Sequence, residues 1–197
     1  MTYHYLLPVV AYLIGSISSA IVISKLFRLS DPRSVGSGNA GATNVLRSGN
    51  RVAALLTLVG DVLKGATPVW IAQIWGTSES IIGLSAMGVL LGHLYPIYFG
   101  FKGGKGVATS LGIYIALMPL IAVCAVIIWI LVAVISRYSS LAALIAAAST
   151  IPLSLFFYDG ISYVGVAFAI AAVLVFTHRG NIERLKLGTE SKLSFGR

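Results

Sequence analysis

The sequence is poor in cysteine, in acid and in charge of either sign. Its one cysteine, Cys124, sits inside an apolar run, which excludes disulfides and a cysteine metal site and argues against a thiol nucleophile. Six acids stand against 14 Lys and Arg in 197 residues, and only 10% of the chain is charged. Soluble domains carry about a quarter charged residues, so an ordinary globular domain, a disordered tail and a fibrous repeat are all excluded. The acids are scattered, and none cluster to hold the paired magnesium ions that a lipid-linked phosphotransferase needs. No Lys or Arg precedes Lys25. The first apolar segment therefore lacks a basic leader, is too long for a signal-peptide core, and is expected to stay as a helix.

What is present is apolar surface: 57% of the residues are hydrophobic and the mean hydropathy is +0.93. That composition is an integral membrane protein's, and at about 20 residues per span the length allows about seven crossings and no separate soluble domain. In a soluble chain a net charge of +8 would point to nucleic acid; here its distribution points to topology instead, and no nucleic-acid partner is expected. Apolar runs cover Tyr5 to Leu26, Val52 to Trp75, Ile81 to Phe99, Val107 to Ile135, Leu141 to Phe157 and Ile161 to Phe176. The run from Val107 to Ile135 would be about 45 Å long as one helix, against a hydrocarbon core of about 30 Å, so a break is expected at Met118-Pro119. Two crossings there place every basic residue except Lys64, including Arg137, Arg179, Arg184, Lys186, Lys192 and Arg197, on one side, and Glu79 and Asp159 on the other. The expectation is an all-α, polytopic fold of seven transmembrane helices, one domain over residues 1–197, N-terminus outside and C-terminus cytoplasmic.

Chemistry must then sit in the inner loops. The first reads Val35-Gly36-Ser37-Gly38-Asn39-Ala40-Gly41-Ala42-Thr43-Asn44-Val45-Leu46-Arg47. Its glycines match G-x-G-x-x-G in spacing, but no strand precedes them, so a dinucleotide fold is excluded. The physics that survives is a backbone able to converge N–H groups on an anion, neutral donors from Ser37, Asn39, Thr43 and Asn44, and a forked cation in Arg47. The second loop, Gly100 to Gly106, is not a Walker A motif, because Gly100 is one residue too close to Gly104-Lys105 and Gly106 replaces the magnesium-holding hydroxyl. Four glycines around Lys102 and Lys105 still make a phosphate cradle. After the last apolar run comes His178-Arg179-Gly180-Asn181-Ile182-Glu183-Arg184, whose histidine can serve as base or phosphate ligand. His93, inside an apolar run, needs a hydrogen-bonding partner. Asp61 and Lys64, at i and i+3, share a helix face and can neutralise each other, a pairing expected to lock the helix beneath the first loop. No G-x-S-x-G elbow and no His-x4-Asp pattern occurs. A small lipid or phosphate transporter fits the size, but inverted repeats are missing and the polar residues crowd one face.

Three blocks in order, Gly36 to Asn44 with Arg47, Gly92-His93-Leu94-Tyr95-Pro96 running into Phe101 to Thr109, and His178 to Ile182 with Glu190, closely resemble the bacterial acyl-phosphate:glycerol-3-phosphate acyltransferase (PlsY) family. The resemblance covers nearly the whole chain. It implies a seven-helix inner-membrane enzyme, active site facing the cytoplasm, that transfers a fatty acyl group from acyl phosphate to the 1-hydroxyl of glycerol 3-phosphate, giving lysophosphatidic acid and phosphate without a cofactor or metal. It also implies catalytic roles for Ser37, Arg47, Lys105, His178 and Asn181, and substrate contacts from Gly38, Asn39, Thr43, Asn44, Lys102, Gly103, Gly104 and Glu190. The expected partners are glycerol 3-phosphate, acyl phosphate and membrane lipid. On this reading Arg47, Lys105 and His178 hold glycerol 3-phosphate, while Ser37, Thr43 and Asn181 hold the acyl phosphate. Ser18 departs from the family, where a proline is common, but it touches the first helix and not the site.

Overall fold

Apolar runs bounded by glycine, proline and polar loops become helices because a backbone in lipid must satisfy its own hydrogen bonds. The computed structural model describes residues 2–193, and among them every regular element is an α-helix or a short 3-10 turn. In order they are α1 (Leu7–Gly15), α2 (Ser19–Leu26), α3 (Ala42–Leu46), α4 (Arg51–Ile74), α5 (Glu79–Leu94), α6 (Val107–Leu117), α7 (Pro119–Ser136), α8 (Ser139–Phe157), α9 (Ile161–Thr177) and α10 (Arg179–Lys186). Arg197, which the charge pattern places inside, lies outside the described residues.

Each apolar run folds as helix, but fewer than seven have the length of a span. Five stretches are long and apolar enough to cross: His4–Leu26, Arg51–Ile74, Glu79–Phe99, Pro119–Ser136 and Ser139–Phe157. The pair α9 and α10, bent by 60°, makes a sixth if taken as one span. Helix α6, with 11 residues and a length of about 16 Å, falls well short of a hydrocarbon core of about 30 Å. The break at Met118 falls as the proline requires: Met118, ahead of Pro119, leaves the helical region at φ −143°, and Tyr95, ahead of Pro96, ends α5 at φ −125° for the same steric reason.

The chain forms two compact units, Met1–Leu117 and Met118–Arg197. In the first, helices meet at close approach through glycines. A Cβ at Gly15 would strike the Val89 carbonyl, one at Gly92 the Tyr12 carbonyl, and one at Gly112 the Val62 carbonyl. These close approaches bring α1 against α5 and α4 against α6, the contact mode expected where lipid removes the hydrophobic drive for helix association. In the second unit α8 packs on α7 and α9 through a face of small residues, Ala142, Ala143, Ala146, Ala147, Thr150 and Ser154. Large apolar side chains such as Ile74, Ile135 and Phe156 point outward, 81% exposed each, as they must where the solvent is hydrocarbon.

Candidate active site

The first loop leaves α2 through Arg28, held in the left-handed region at φ 55°, and is pinned by its own side chains. Asn44 is buried; its Oδ1 accepts from the Ser37 N–H at 2.9 Å, and its Nδ2 donates to the carbonyls of Pro32 at 2.6 Å and Val35 at 3.1 Å. Both ends of the amide are thus engaged within the loop, so Asn44 fixes the shape of the cradle. Gly36 and Gly38 adopt positive φ, 59° and 69°, and a Cβ at Gly36 would strike Asn44 Oδ1. Glycine is required there by both conformation and space. The turn exposes Ser37 and Gly38, while Asn39 and Thr43 are half-buried.

Arg47 caps α3 and remains exposed. It lines a cavity of about 400 Å³ together with Arg28, Ser30, Gly36, Asn44 and Ser48. Arg28, Ser30 and Ser48 are not among the expected site residues, since nothing in their spacing marks them; Ser48 follows Arg47 directly, and the left-handed turn at Arg28 lies where the chain leaves α2. Two forked cations with two hydroxyls and no acid suit an anionic group.

The two glycine-rich loops touch. Arg33, ion-paired with Asp31 at 2.7 Å, donates from Nη1 to the Phe99 carbonyl at 3.0 Å. The hydrogen-bonding Arg33 guanidinium holds the Asp31 carboxyl below the usual carboxylate range. A Cβ at Gly104 would lie 2.7 Å from the Ala40 carbonyl, so Gly104 and the first loop are in backbone contact. Gly103 and Gly104 donate their N–H groups to the carbonyls of Leu94 and His93, both at 3.1 Å. This fold-back of the loop on the end of α5 carries Lys105, half-buried, to the start of α6, whereas Lys102 is exposed at the loop's outer edge.

Asp61 and Lys64 do pair, at 2.8 Å, but Lys64 also donates to the Ile17 carbonyl at 2.8 Å, in the break between α1 and α2. The pair therefore steadies the broken first helix rather than the first loop. His93 finds its neighbour in the same carboxylate, its Nδ1 3.6 Å from Asp61 Oδ1.

In the second unit the tail turns back on itself. The Leu193 N–H donates to the Arg137 carbonyl at 2.7 Å, and this return places Glu190 beside α8 and α10. The Glu190 carboxylate accepts from Ser140 Oγ and Asn181 Nδ2, both at 2.6 Å, and from Arg184 Nε at 2.7 Å. Burial pushes its pKa up, but the three hydrogen bonds and the Arg184 charge outweigh that and hold it below the ordinary value. A carboxylate so occupied orients Asn181; it is poorly suited to meet a phosphate, whose charge has the same sign. His178 stands buried at the bend between α9 and α10, with Nδ1 2.8 Å from the Leu174 carbonyl. A carbonyl only accepts, so Nδ1 carries the proton and Nε2 is the basic nitrogen of the neutral ring. Among the described residues no three of His, Cys, Asp and Glu gather as a metal site would require.

Together these features define a helical membrane protein whose polar, glycine-rich loops carry basic side chains. A family model described as glycerol-3-phosphate acyltransferase matches residues 5–188, and the chain belongs to that family. Glycerol-3-phosphate acyltransferases of Methylobacillus flagellatus, 51% identical over 93% of this chain and 93% of the relative, and of Bordetella petrii, 53% identical over 93% and 90%, are among its relatives. Two crystal structures of PlsY, an integral membrane glycerol 3-phosphate acyltransferase, share the fold. The glycerol 3-phosphate form superposes with a TM-score of 0.92 at 38% identity, covering 97% of this chain and 96% of the other. The lysophosphatidic acid form gives 0.90 at 36%, covering 97% and 95%.

Proposed function

We propose that this protein transfers a fatty acyl group from acyl phosphate to the 1-hydroxyl of glycerol 3-phosphate, releasing lysophosphatidic acid and phosphate. The observation that carries the reading is the pair of glycine-rich loops in backbone contact at Ala40 and Gly104, bearing Arg47 and Lys105, in a chain of the glycerol-3-phosphate acyltransferase family. Related structures named for glycerol 3-phosphate and for lysophosphatidic acid support the acceptor and the product. Acyl phosphate as donor follows from the family resemblance and from a site with phosphate-binding groups and an apolar surround.

The donor is already activated, because phosphate is a good leaving group, so the reaction needs no covalent intermediate on the protein. The acceptor hydroxyl attacks the acyl carbonyl carbon, the bond from that carbon to the phosphate oxygen breaks, and the hydroxyl proton passes to a substrate phosphate or to His178 Nε2. Positioning and charge stabilisation supply the acceleration. Arg47 and Lys105 neutralise substrate phosphate; Ser37, Gly38, Asn39 and Thr43 contribute hydroxyl, amide and backbone donors; Lys102, Gly103 and Gly104 form the second cradle. From the carboxy-terminal unit, His178 and Asn181 act on substrate and Glu190 holds Asn181. We further propose a single acyltransferase domain of seven crossings in the inner membrane, with its N-terminus outside and its basic loops in the cytoplasm, α6 being a short crossing.

The test is acyl transfer to labelled glycerol 3-phosphate by the purified protein, offered acyl phosphate, acyl-CoA or acyl carrier protein in parallel without added metal. Lysophosphatidic acid from acyl phosphate alone is expected. Product only from a thioester donor would overturn the donor assignment, and no product beside an active control would overturn the function. Clear turnover by Ser37→Ala would exclude an acyl-serine.

A further inference from the structure

Three buried titratable side chains take no part in the reaction as written: Asp61, Lys64 and His93, each less than a tenth exposed. They form a continuous line. The Ile17 carbonyl accepts from Lys64 Nζ at 2.8 Å, Lys64 Nζ lies 2.8 Å from Asp61 Oδ1, and the same oxygen lies 3.6 Å from His93 Nδ1. The far edge of the His93 ring meets the second glycine-rich loop, because a Cβ at Gly104 would strike Nε2. His93 thus touches Gly104 twice, by its ring and by its carbonyl, which accepts the Gly104 N–H at 3.1 Å. The same Cβ would lie 2.7 Å from the Ala40 carbonyl, so Gly104 also abuts the first loop.

A flat ring with a polar atom at each edge is what this place requires. Asp61 faces one edge and limits how the ring can turn; the other edge sets how close the Gly104 backbone comes to α5. We infer that His93, held by Asp61 and Lys64, is a positioning residue that fixes Gly103 and Gly104 and so determines where Lys105 presents its charge to the phosphate of glycerol 3-phosphate. If the line served only to hold the helices together, its last member would end on a helix; it ends on the loop that carries the cation. The inference rests on the proposed role of Lys105, and the experiment separates the two.

The full-length protein in detergent is compared with His93→Ala, with His93→Gln as a second variant that keeps a polar group toward Asp61, and with Gly104→Ala and His93→Ala/Gly104→Ala. The readouts are KM for each substrate, melting temperature, and amide hydrogen exchange over residues 101–109. Loss of the ring is expected to raise KM for glycerol 3-phosphate about tenfold while KM for acyl phosphate moves by no more than about twofold. Exchange at Gly103 and Gly104 should speed up, and His93→Gln should restore part of both effects. Because the ring is the nearest obstacle to a Cβ at 104, ahead of the Ala40 carbonyl, removing it relieves part of the clash, and the double variant should lose about threefold less than the product of the single losses. Unchanged exchange at Gly103 and Gly104, or single losses that simply multiply, would overturn the inference. So would a rise in both KM values and a fall in kcat that together track the melting temperature, which is the mark of a purely structural role. Should the wild type make no lysophosphatidic acid, the proposed function fails, and the exchange readout still decides whether His93 sets the loop.

Discussion

The molecule contains two carboxylate-centred clusters that look alike on paper and differ in solvent. Asp61 sits between Lys64 and His93 amid apolar helices, 2% exposed. Glu190 sits among Ser140, Asn181 and Arg184 near the end of the chain, where Arg184 is 45% exposed. The contrast teaches that an ion pair's worth is set by what each member would face if the other were gone. Beside Asp61 the alternative is an apolar interior; beside Glu190 it is water and neutral donors.

The largest effect should therefore come from Asp61. Asp61→Ala leaves the Lys64 ammonium buried without its counter-charge and should destabilise by about 3–5 kcal/mol, the range for breaking a buried pair. Lys64→Met should do the same from the other side and also free the Ile17 carbonyl. Removing both charges, Asp61→Leu with Lys64→Met, should recover much of the loss, since a buried pair is stabilising mainly against its own halves. Chemical unfolding of the purified variants in one detergent measures all three. A double variant as unstable as either single one would break the comparison.

Glycines carry the same contrast into packing. A side chain at Gly112 on α6 would press into the Val62 carbonyl and lie 2.9 Å from the Ala66 nitrogen on α4, so Gly112→Leu should cost about 1–3 kcal/mol through overpacking. A Cβ at Gly165 in α9 would meet nothing within 4 Å, so Gly165→Ala should be neutral or stabilising by up to about 1 kcal/mol through helix propensity. Melting temperatures of the two variants side by side test whether close backbone approach is confined to the helix pairs named above.

How far the sequence foretold this depends on the range of each interaction. The apolar runs and the break at Met118-Pro119 were legible, because hydropathy and the pre-proline restriction are local properties. The Asp61 and Lys64 pair was legible from its i, i+3 spacing. The break between α1 and α2 at Gly15 to Ser18 was not, since no proline marks it and its polar residues are small; what stabilises it is Lys64, far along the chain. His93 declared a need for a hydrogen-bonding partner; its neighbour Asp61 stays 3.6 Å away, beyond hydrogen-bond distance. Glu190 was expected on substrate, yet the tail's return to Arg137 gives it three donors from its own chain, a consequence of tertiary contact that composition cannot encode. The shortness of α6 follows from Met118-Pro119, but whether it crosses is a matter of its neighbours and not of its own hydropathy.

The tail cluster should give smaller and more tunable effects. Glu190→Gln keeps the shape and removes the charge that Ser140, Asn181 and Arg184 donate to, and should destabilise by about 2 kcal/mol, the scale of hydrogen bonds to a charged group. Because Asn181 then loses its orienting acceptor, turnover should fall as well, which steady-state kinetics on the folded fraction would detect. The folded pKa of Glu190 lies below 4.5, so its contribution is fully present above the ordinary glutamate range and is lost as pH falls through the folded value. The wild type should therefore lose stability on acidification more steeply than Glu190→Gln, and parallel curves would remove the cluster from the account.

The smallest effect separates Arg184 from the other two donors. Its side chain is 45% exposed and pairs with Glu190 Oε2, whereas Ser140 and Asn181 share the more enclosed Oε1. An exposed ion pair is worth at most about 1 kcal/mol and is screened by salt, so Arg184→Gln should lower stability by no more than that, with the difference from wild type shrinking as ionic strength rises. Asn181 keeps its acceptor in this variant, so turnover should hold near the wild-type value. A loss as large as that of Glu190→Gln, insensitive to salt, would mean that the tail cluster is as dry as the one around Asp61, and the distinction between the two would fall.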